Sequence, residues 1–499
     1  MGEEKYNKTL FLRFRGKALE TFMKKASDCK IEELKSCLGR YDADDLFPKW
    51  LYFIRQLDEF INIDYELNQG EKIAFRQTGL DYWSMKSLER WLLNRFGKDV
   101  VDRVIGLIKT YRQTALYVSW GGMPDIFTYQ TIGELLDFCN ARRLHYVTIL
   151  HLIPIYSTGS EKVQHNVVED FWGCIEFALM PIVTAFHAMV QSRCLPDYEA
   201  INHGTHLSFT HAYSQLEDIF LEPQRMTQVD MLLFNDEIQQ EMLLKKEPYT
   251  LYSMKEFDVI YENDAIYYEK YKLADSKVYK DFGRLMADVK PFFKDEYCIE
   301  IPLEHFIDIE RKYTSLKLVC NTSDLYDLMN TRVAFIKKDQ IYYANYFFLM
   351  RYYTNTVVDY LNKNRTYQID SGFLFEKKVK ELVEKHGYTY QDTCKRIDHK
   401  EFDVVCIKDD CIYNFQCKNN YFNASRIDSD MVIVTSRYHK RLGSYYEKSL
   451  KKEKDRENLL KEKLGLTKVE HYIISRYPVI CNNDRVIPFN RLEEWLMER

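Results

Sequence analysis

The chain runs to 499 residues, is 46% hydrophobic and carries a net charge of −5. It is too long for a single core, and too close to neutral to advertise a polyanion binder by global charge alone. Glycine and proline are scarce, at 18 and 11, which argues against a long disordered or low-complexity tract and for roughly two to four folded domains.

The opening stretch, MGEEKYNKTLFLRFRGK, lacks the continuous apolar segment of a secretory leader, and no uninterrupted apolar run approaches membrane-spanning length. The twelve cysteines are scattered and never form C-x-x-C pairs. That usage reads as free thiols in a reducing, cytoplasmic setting rather than a disulfide frame or a zinc site.

Residues 1–240 are expected to form a mainly helical scaffold or recognition region. Amphipathic spacing runs through 46–63 and 88–108, and further helical patterns cover 132–141 and 168–192. The Gly-Gly-Met-Pro stretch at 121–124 breaks this array, and Leu195-Pro196-Asp197 ends it. Residues 241–368 read as a mixed α/β connector. There, 256–271 alternates around Asn263-Asp264 and suggests a hairpin, while 319–360 mixes strand-like pieces with a helix near Val357. Asn362 to Arg365 is the best linker candidate. The triplet His203, His206 and His211 lacks an H-E-x-x-H frame, and structural histidines are the expectation.

Residues 369–499 carry the clearest pattern, an α/β domain with a mixed central sheet. Its charge also differs: 372–499 has a net of +4, against −9 for the remainder, so a polyanion should meet this quarter first. Phe373 to His386 is an amphipathic helix closed by Gly387 at the C′ position. Two apolar runs, Phe402 to Ile407 and Ile412 to Phe415, then meet at a polar corner and form a hairpin. With Asp409-Asp410 as a two-residue loop, Lys408 pairs with Cys411, Ile407 with Ile412, and Asp403 with Gln416. Lys418 lies two residues further along the same face, and Glu401 opposes it. Tyr413, Phe415 and Cys417 give the other face an apolar backing. Met431 to Thr435 fits either a short strand or part of a helix; 445–463 reads as a charged helix, 469–474 and Val479-Ile480 as late strands, and 491–497 as a closing helix.

Glu376 on a helix, Asp403 on a strand and Gln416-Cys417-Lys418 on the next strand resemble the restriction-endonuclease-like PD-(D/E)xK nuclease superfamily, in its Q-x-K branch. The resemblance covers only the C-terminal quarter of the chain, and Phe402 stands where the superfamily name has proline. It implies a metal-dependent endonuclease using Mg²⁺ or Mn²⁺, with DNA a better expectation than RNA and defence against foreign DNA as the role. Asp403 would be the main metal ligand, and Glu376 an outer or direct one. Gln416 would add a carbonyl oxygen or orient a metal-bound water, and Lys418 would stabilise the developing charge or help deprotonate the attacking water. Glu401 is the rival carboxylate. Arg426, Lys440, Arg441, Lys448, Lys451 and Lys452 are the candidate phosphate contacts, interleaved with Tyr445 and Tyr446. A homodimer is implied, because cutting two strands takes two sites; separately, the helical pattern of the N-terminal region suggests a surface for a protein partner. Two alternatives stand beside this reading: a non-catalytic interaction protein with a nuclease-like domain, and an RNA-cleaving enzyme using the same site.

Overall fold

The computed structural model describes residues 12–65, 79–120, 131–204, 206–210, 254–320, 323–329, 333–420 and 430–499, with a few isolated residues between them. The chain divides into two compact units, one of Met1–Lys25, Ala185–Asp236 and Val357–Arg499, the other of Ala26–Thr184 and Glu237–Thr356. This division cuts across the three consecutive segments expected from sequence, because an N-terminal piece and a middle piece are grouped with the C-terminal α/β part.

The second unit is built on helices in its first half. Ala43–Asn62 buries Phe47, Trp50, Phe53, Ile54 and Leu57 on one face, the i, i+3, i+4, i+7 spacing that marks a core-facing stripe. The Trp50 indole donates to the Tyr146 carbonyl at 2.8 Å. The expected helix 88–108 is two helices, Met85–Arg95 and Lys98–Trp120. Ile132–Tyr156 outruns its expected end at 141 and opens with a capping box of Thr131 and Glu134, which satisfies the first free N–H groups on both sides. Two buried acids in this unit are paired, Asp58 with Arg143 at 2.8 Å and Glu59 with Arg103 at 2.7 Å.

Two expectations in this region are corrected. The stretch 254–267 is a helix, Met254–Tyr267, not a hairpin around Asn263-Asp264. Phe257, Asp264 and Tyr268 are all buried at helical spacing, and the Asp264 carboxylate accepts from the Tyr353 hydroxyl at 2.7 Å. Tertiary burial outweighed the local alternation. Cys37 and Cys174 are disulfide-bonded, with Cα atoms 6.5 Å apart, so the cysteines are not all free thiols. The helical stretch Val167–Cys194 is long and apolar enough to cross a membrane by composition, and 61% of its most apolar window is buried, as in a core helix. It is broken by a π turn at Ile175–Leu179, just ahead of Pro181, whose missing N–H cannot serve the α ladder. Further along, Cys298–Pro302, Ile341–Asn345 and Ile336–Lys338 form a three-stranded antiparallel sheet in that order.

The C-terminal region holds a mixed five-stranded sheet. Its elements are α1 (Arg365–Lys385), β1 (Thr389–Tyr390), β2 (Val404–Lys408), β3 (Cys411–Lys418), α2 (Met431–Asp455), α3 (Glu457–Leu464), β4 (Lys468–Ser475), β5 (Val486–Pro488) and α4 (Leu492–Met497). The strand order is β5-β4-β3-β2-β1. Strands β2 and β3 are antiparallel, and β3 is parallel to β4 through the α2–α3 crossover, as parallel neighbours require. One face packs Val404, Cys406, Phe415, Tyr472 and Ile474 against Phe375, Val379 and Val383 of α1 and Leu492 of α4. The other packs Phe402, Val405 and Ile412 against Leu460 of α3, and Ile473 against Leu442 and Tyr446 of α2.

Helix α1 starts at Arg365, capped by the Asn364 side chain, so the proposed linker is a sharp break between two helices. Gly387 has φ +84°, the left-handed conformation expected of it. Residues 431–435 open α2 rather than forming a strand. The charged helix is interrupted at Arg456, and Val486–Pro488, not Val479-Ile480, is the edge strand.

Candidate active site

The hairpin register is the one read from sequence: Lys408 faces Cys411, Ile407 faces Ile412 and Val404 faces Phe415. Asp409 and Asp410 both take positive φ, 50° and 56°, the type I′ geometry that matches strand twist and that aspartate tolerates. Pairing stops at Val404. Upstream, Lys400–Glu401 pairs with Arg396–Ile397 in a separate two-stranded ribbon. Glu401 therefore faces Arg396, exposed, and not Lys418. This corrects its placement as the rival carboxylate directly opposite the lysine.

Asp403 sits in the turn between that ribbon and β2, where its side chain folds onto β3. The Cys417 backbone N–H donates to Asp403 Oδ2 at 2.7 Å, and the Gln416 carboxamide donates to the same oxygen. Gln416 is buried, and its carbonyl accepts from Arg456 Nη2 at 3.3 Å. Its carboxamide thus bridges Asp403 and Arg456, with the amide nitrogen toward the acid. Burial pushes the Asp403 carboxyl up to about 6, against the opposing pull of the Lys418 charge and the Cys417 N–H.

Glu376 reaches the same place from α1. Burial, then the negative charge of Asp403, push its carboxyl up to about 7, while Lys395 and Lys418 pull it down. The two acids are electrostatically coupled, and a negative charge on Asp403 opposes ionisation of Glu376. The end of β3 is tied to α1 by Asn419, which donates to Ser371 Oγ at 2.8 Å and accepts from Arg476 at 2.6 Å. That tether fixes the helix five residues ahead of Glu376. Lys418 is partly buried at the strand end, with its ammonium 5.8 Å from the Tyr445 ring.

The fold therefore brings together Asp403, Gln416, Lys418 and Glu376. Among the described residues, no group of three or more His, Cys, Asp or Glu is arranged to hold a metal ion. What the site offers is two half-buried carboxyls whose ionisation is resisted by burial, and for Glu376 also by the charge of Asp403. A hard divalent cation would relieve both costs. Asp403 and Glu376 fit such an ion, while the Gln416 carbonyl is occupied by Arg456.

The candidate phosphate contacts divide. Arg426 lies outside the described residues. Lys440, Arg441, Lys448, Lys451 and Lys452 are all exposed on α2. At 100° per residue they occupy an arc of about 120°, away from the face that buries His439, Leu442, Tyr446 and Glu453. Tyr445 is exposed, but Tyr446 is fully buried and bonds Ser475 Oγ at 2.9 Å, so it belongs to the core.

A buried polar group beneath the site was missed from sequence. Glu453 and Arg456 fall within the stretch 445–463 that the sequence marks only as a charged helix. Both are instead packed against the sheet, with side-chain exposures of 2% and 10% and a 2.6 Å ion pair. Asn414 donates to Glu453 at 2.9 Å and lies 3.1 Å from His471 Nδ1. The available signal was periodic: Glu453 falls on the same helical stripe as Leu442 and Tyr446. His203 and His206 stack in the turn between Glu199–Asn202 and Leu207–Phe209, with His203 Nε2 bonded to Ser208 Oγ at 2.8 Å; His211 lies outside the described residues.

No protein-family model, no curated protein and no solved structure matches the chain.

Proposed function

We propose that the C-terminal α/β region is a restriction-endonuclease-like domain that hydrolyses phosphodiester bonds, with DNA as its substrate. The observation that carries this reading is the convergence of Asp403 and Glu376, drawn from a turn and a helix, beside the ammonium-bearing end of the strand that holds Gln416 and Lys418. Asp403 and Glu376 would hold Mg²⁺ or Mn²⁺, which when bound supplies Lewis-acid chemistry at the phosphate. Asp403 is held by two hydrogen bonds on Oδ2, so it meets a cation with its orientation already set. Lys418 places a positive charge where the phosphate gains negative charge during displacement. The basic arc of α2, with Tyr445 beside Lys418, supplies a surface for a nucleic-acid backbone. Defence against foreign DNA is the role in keeping with such a nuclease, by analogy alone.

Purified protein with supercoiled plasmid and Mg²⁺ or Mn²⁺ is expected to nick or linearise it, and Asp403→Ala and Lys418→Ala are expected to abolish this. Undiminished cutting by the Lys418→Ala variant overturns the assignment. Two carboxyls are a sparse donor set, and this favours a second reading in which the domain binds nucleic acid or protein without cutting. Binding with no cleavage of DNA or RNA would select it, and cleavage of RNA alone would move the substrate.

A further inference from the structure

Arg456 stands at the break between α2 and α3, and its guanidinium is engaged on the underside of the site. Its Nε and Nη2 donate to Glu453 at 2.9 and 2.6 Å, and Nη2 reaches the Gln416 carbonyl at 3.3 Å. Its guanidinium lies over the Phe402 ring, 4.3 Å from the centroid. Phe402 is the residue before Asp403, and it replaces the proline that names the motif. One side chain therefore touches both halves of the motif, Phe402 beside the acid and Gln416 on the facing strand. Glu453 is itself oriented by Asn414, which lies two residues before Gln416 on the same face of β3.

We infer that Arg456, oriented by Glu453, is a positioning residue that fixes Gln416 with its carbonyl inward and its amide toward Asp403, so that Gln416 serves as a hydrogen-bond donor to the acid and not as a metal ligand. The physics is a matter of matching. A carboxamide can turn over and offer either end to Asp403. A charge-assisted donor behind it makes one orientation cheaper, because the turned-over state would set an N–H against a guanidinium. Contact with the Phe402 ring holds the guanidinium against the chain entering β2. The functional consequence rests on the nuclease reading, but the orientation of Gln416 does not.

The test uses the full chain, labelled with ¹⁵N only in glutamine side chains, with the Gln416 signal identified by its loss in Gln416→Glu. In the wild type the two Gln416 amide protons are expected to be widely separated and slow to exchange with water, one of them held by a carboxylate. Arg456→Met alone would strand Glu453 as a buried charge and threaten folding. The informative variant is therefore Glu453→Gln/Arg456→Met, which removes both charges and keeps an acceptor for Asn414. It is expected to collapse the Gln416 signal toward that of a free, fast-exchanging carboxamide. Cleavage by the double variant should fall about 10- to 100-fold, the usual effect of losing a residue that orients a ligand, with duplex affinity unchanged. A Gln416 signal unmoved in the folded double variant overturns the inference whether or not the chain cuts. Absence of cleavage by the wild type refutes the nuclease reading and leaves the glutamine signal to decide this one.

Discussion

Asp403 adds to burial in raising the carboxyl of Glu376. The two carboxyls come from elements 27 residues apart in sequence, yet the charge of the first is the largest influence on the second after burial. With Asp403 raised to about 6 and Glu376 to about 7, both would have to lose protons for the proposed cation to be held between them. Metal affinity should therefore rise with pH and weaken as pH falls through 7 and then 6, where two protons compete with the ion. Calorimetric titration of Mn²⁺ between pH 5.5 and 8 should show this, with proton release on binding at pH 6.5. Asp403→Asn should lower the ionisation range of Glu376 and flatten the profile. A pH-independent affinity would show that these two acids do not share the ion.

On the proposed nuclease reading, Lys418 is the residue that should separate metal binding from chemistry. It sits at the strand end beside Tyr445, and its charge pulls both acids down. Lys418→Met is expected to reduce the cleavage rate by about 100-fold or more, the cost of removing one charge from a developing anion. Mn²⁺ affinity should change far less. Equal losses in both measurements would make Lys418 an electrostatic support for the metal site only.

The basic arc of α2 makes a prediction about salt. Lys448, Lys451 and Lys452 are exposed and point away from the core, so changing all three to Gln should leave folding intact. In metal-free buffer, the slope of log affinity for duplex DNA against log salt should become shallower by about 0.9 for each phosphate that is no longer neutralised. Fluorescence anisotropy across a salt series measures it. An unchanged slope would mean that the polyanion meets another surface.

The local features of the site were legible wherever the chain writes its own geometry. The Asp409-Asp410 turn fixed the register of β2 and β3, and through it the approach of Asp403 to Gln416, because a two-residue loop leaves one way to count. Gly387 marked the end of α1 for a similar reason. What could not be read depends on packing between distant segments. Glu453 and Arg456 look like solvated helix charges until the sheet is laid beneath them. Glu401 seemed to oppose Lys418 because nothing local announces that the strand breaks at Phe402 and that the preceding residues pair with Arg396–Ile397. The hairpin expected at 256–271 failed in the same way, since Asp264 looks like a turn residue until Tyr353 supplies its hydrogen bond.

That buried aspartate yields the last prediction. Asp264 lies on the core face of Met254–Tyr267, and burial pushes its carboxyl from the usual 3.8 up to about 7, only partly opposed by the Tyr353 hydroxyl. The folded state therefore holds this proton more tightly than the unfolded state. Its contribution is fully present below the ordinary carboxyl range and is lost as pH rises toward 7, because the unfolded chain ionises where the folded chain resists. A displacement of about three units corresponds to about 4 kcal/mol at the upper end. Asp264→Asn keeps an acceptor for Tyr353 and removes the ionisation. The variant should match the wild type in stability near pH 4 and exceed it by a few kcal/mol at pH 8, as measured by denaturant unfolding at both values. Parallel stability curves across that range would show that the aspartate is ionised in the folded protein, and that Tyr353 is partner enough for its charge.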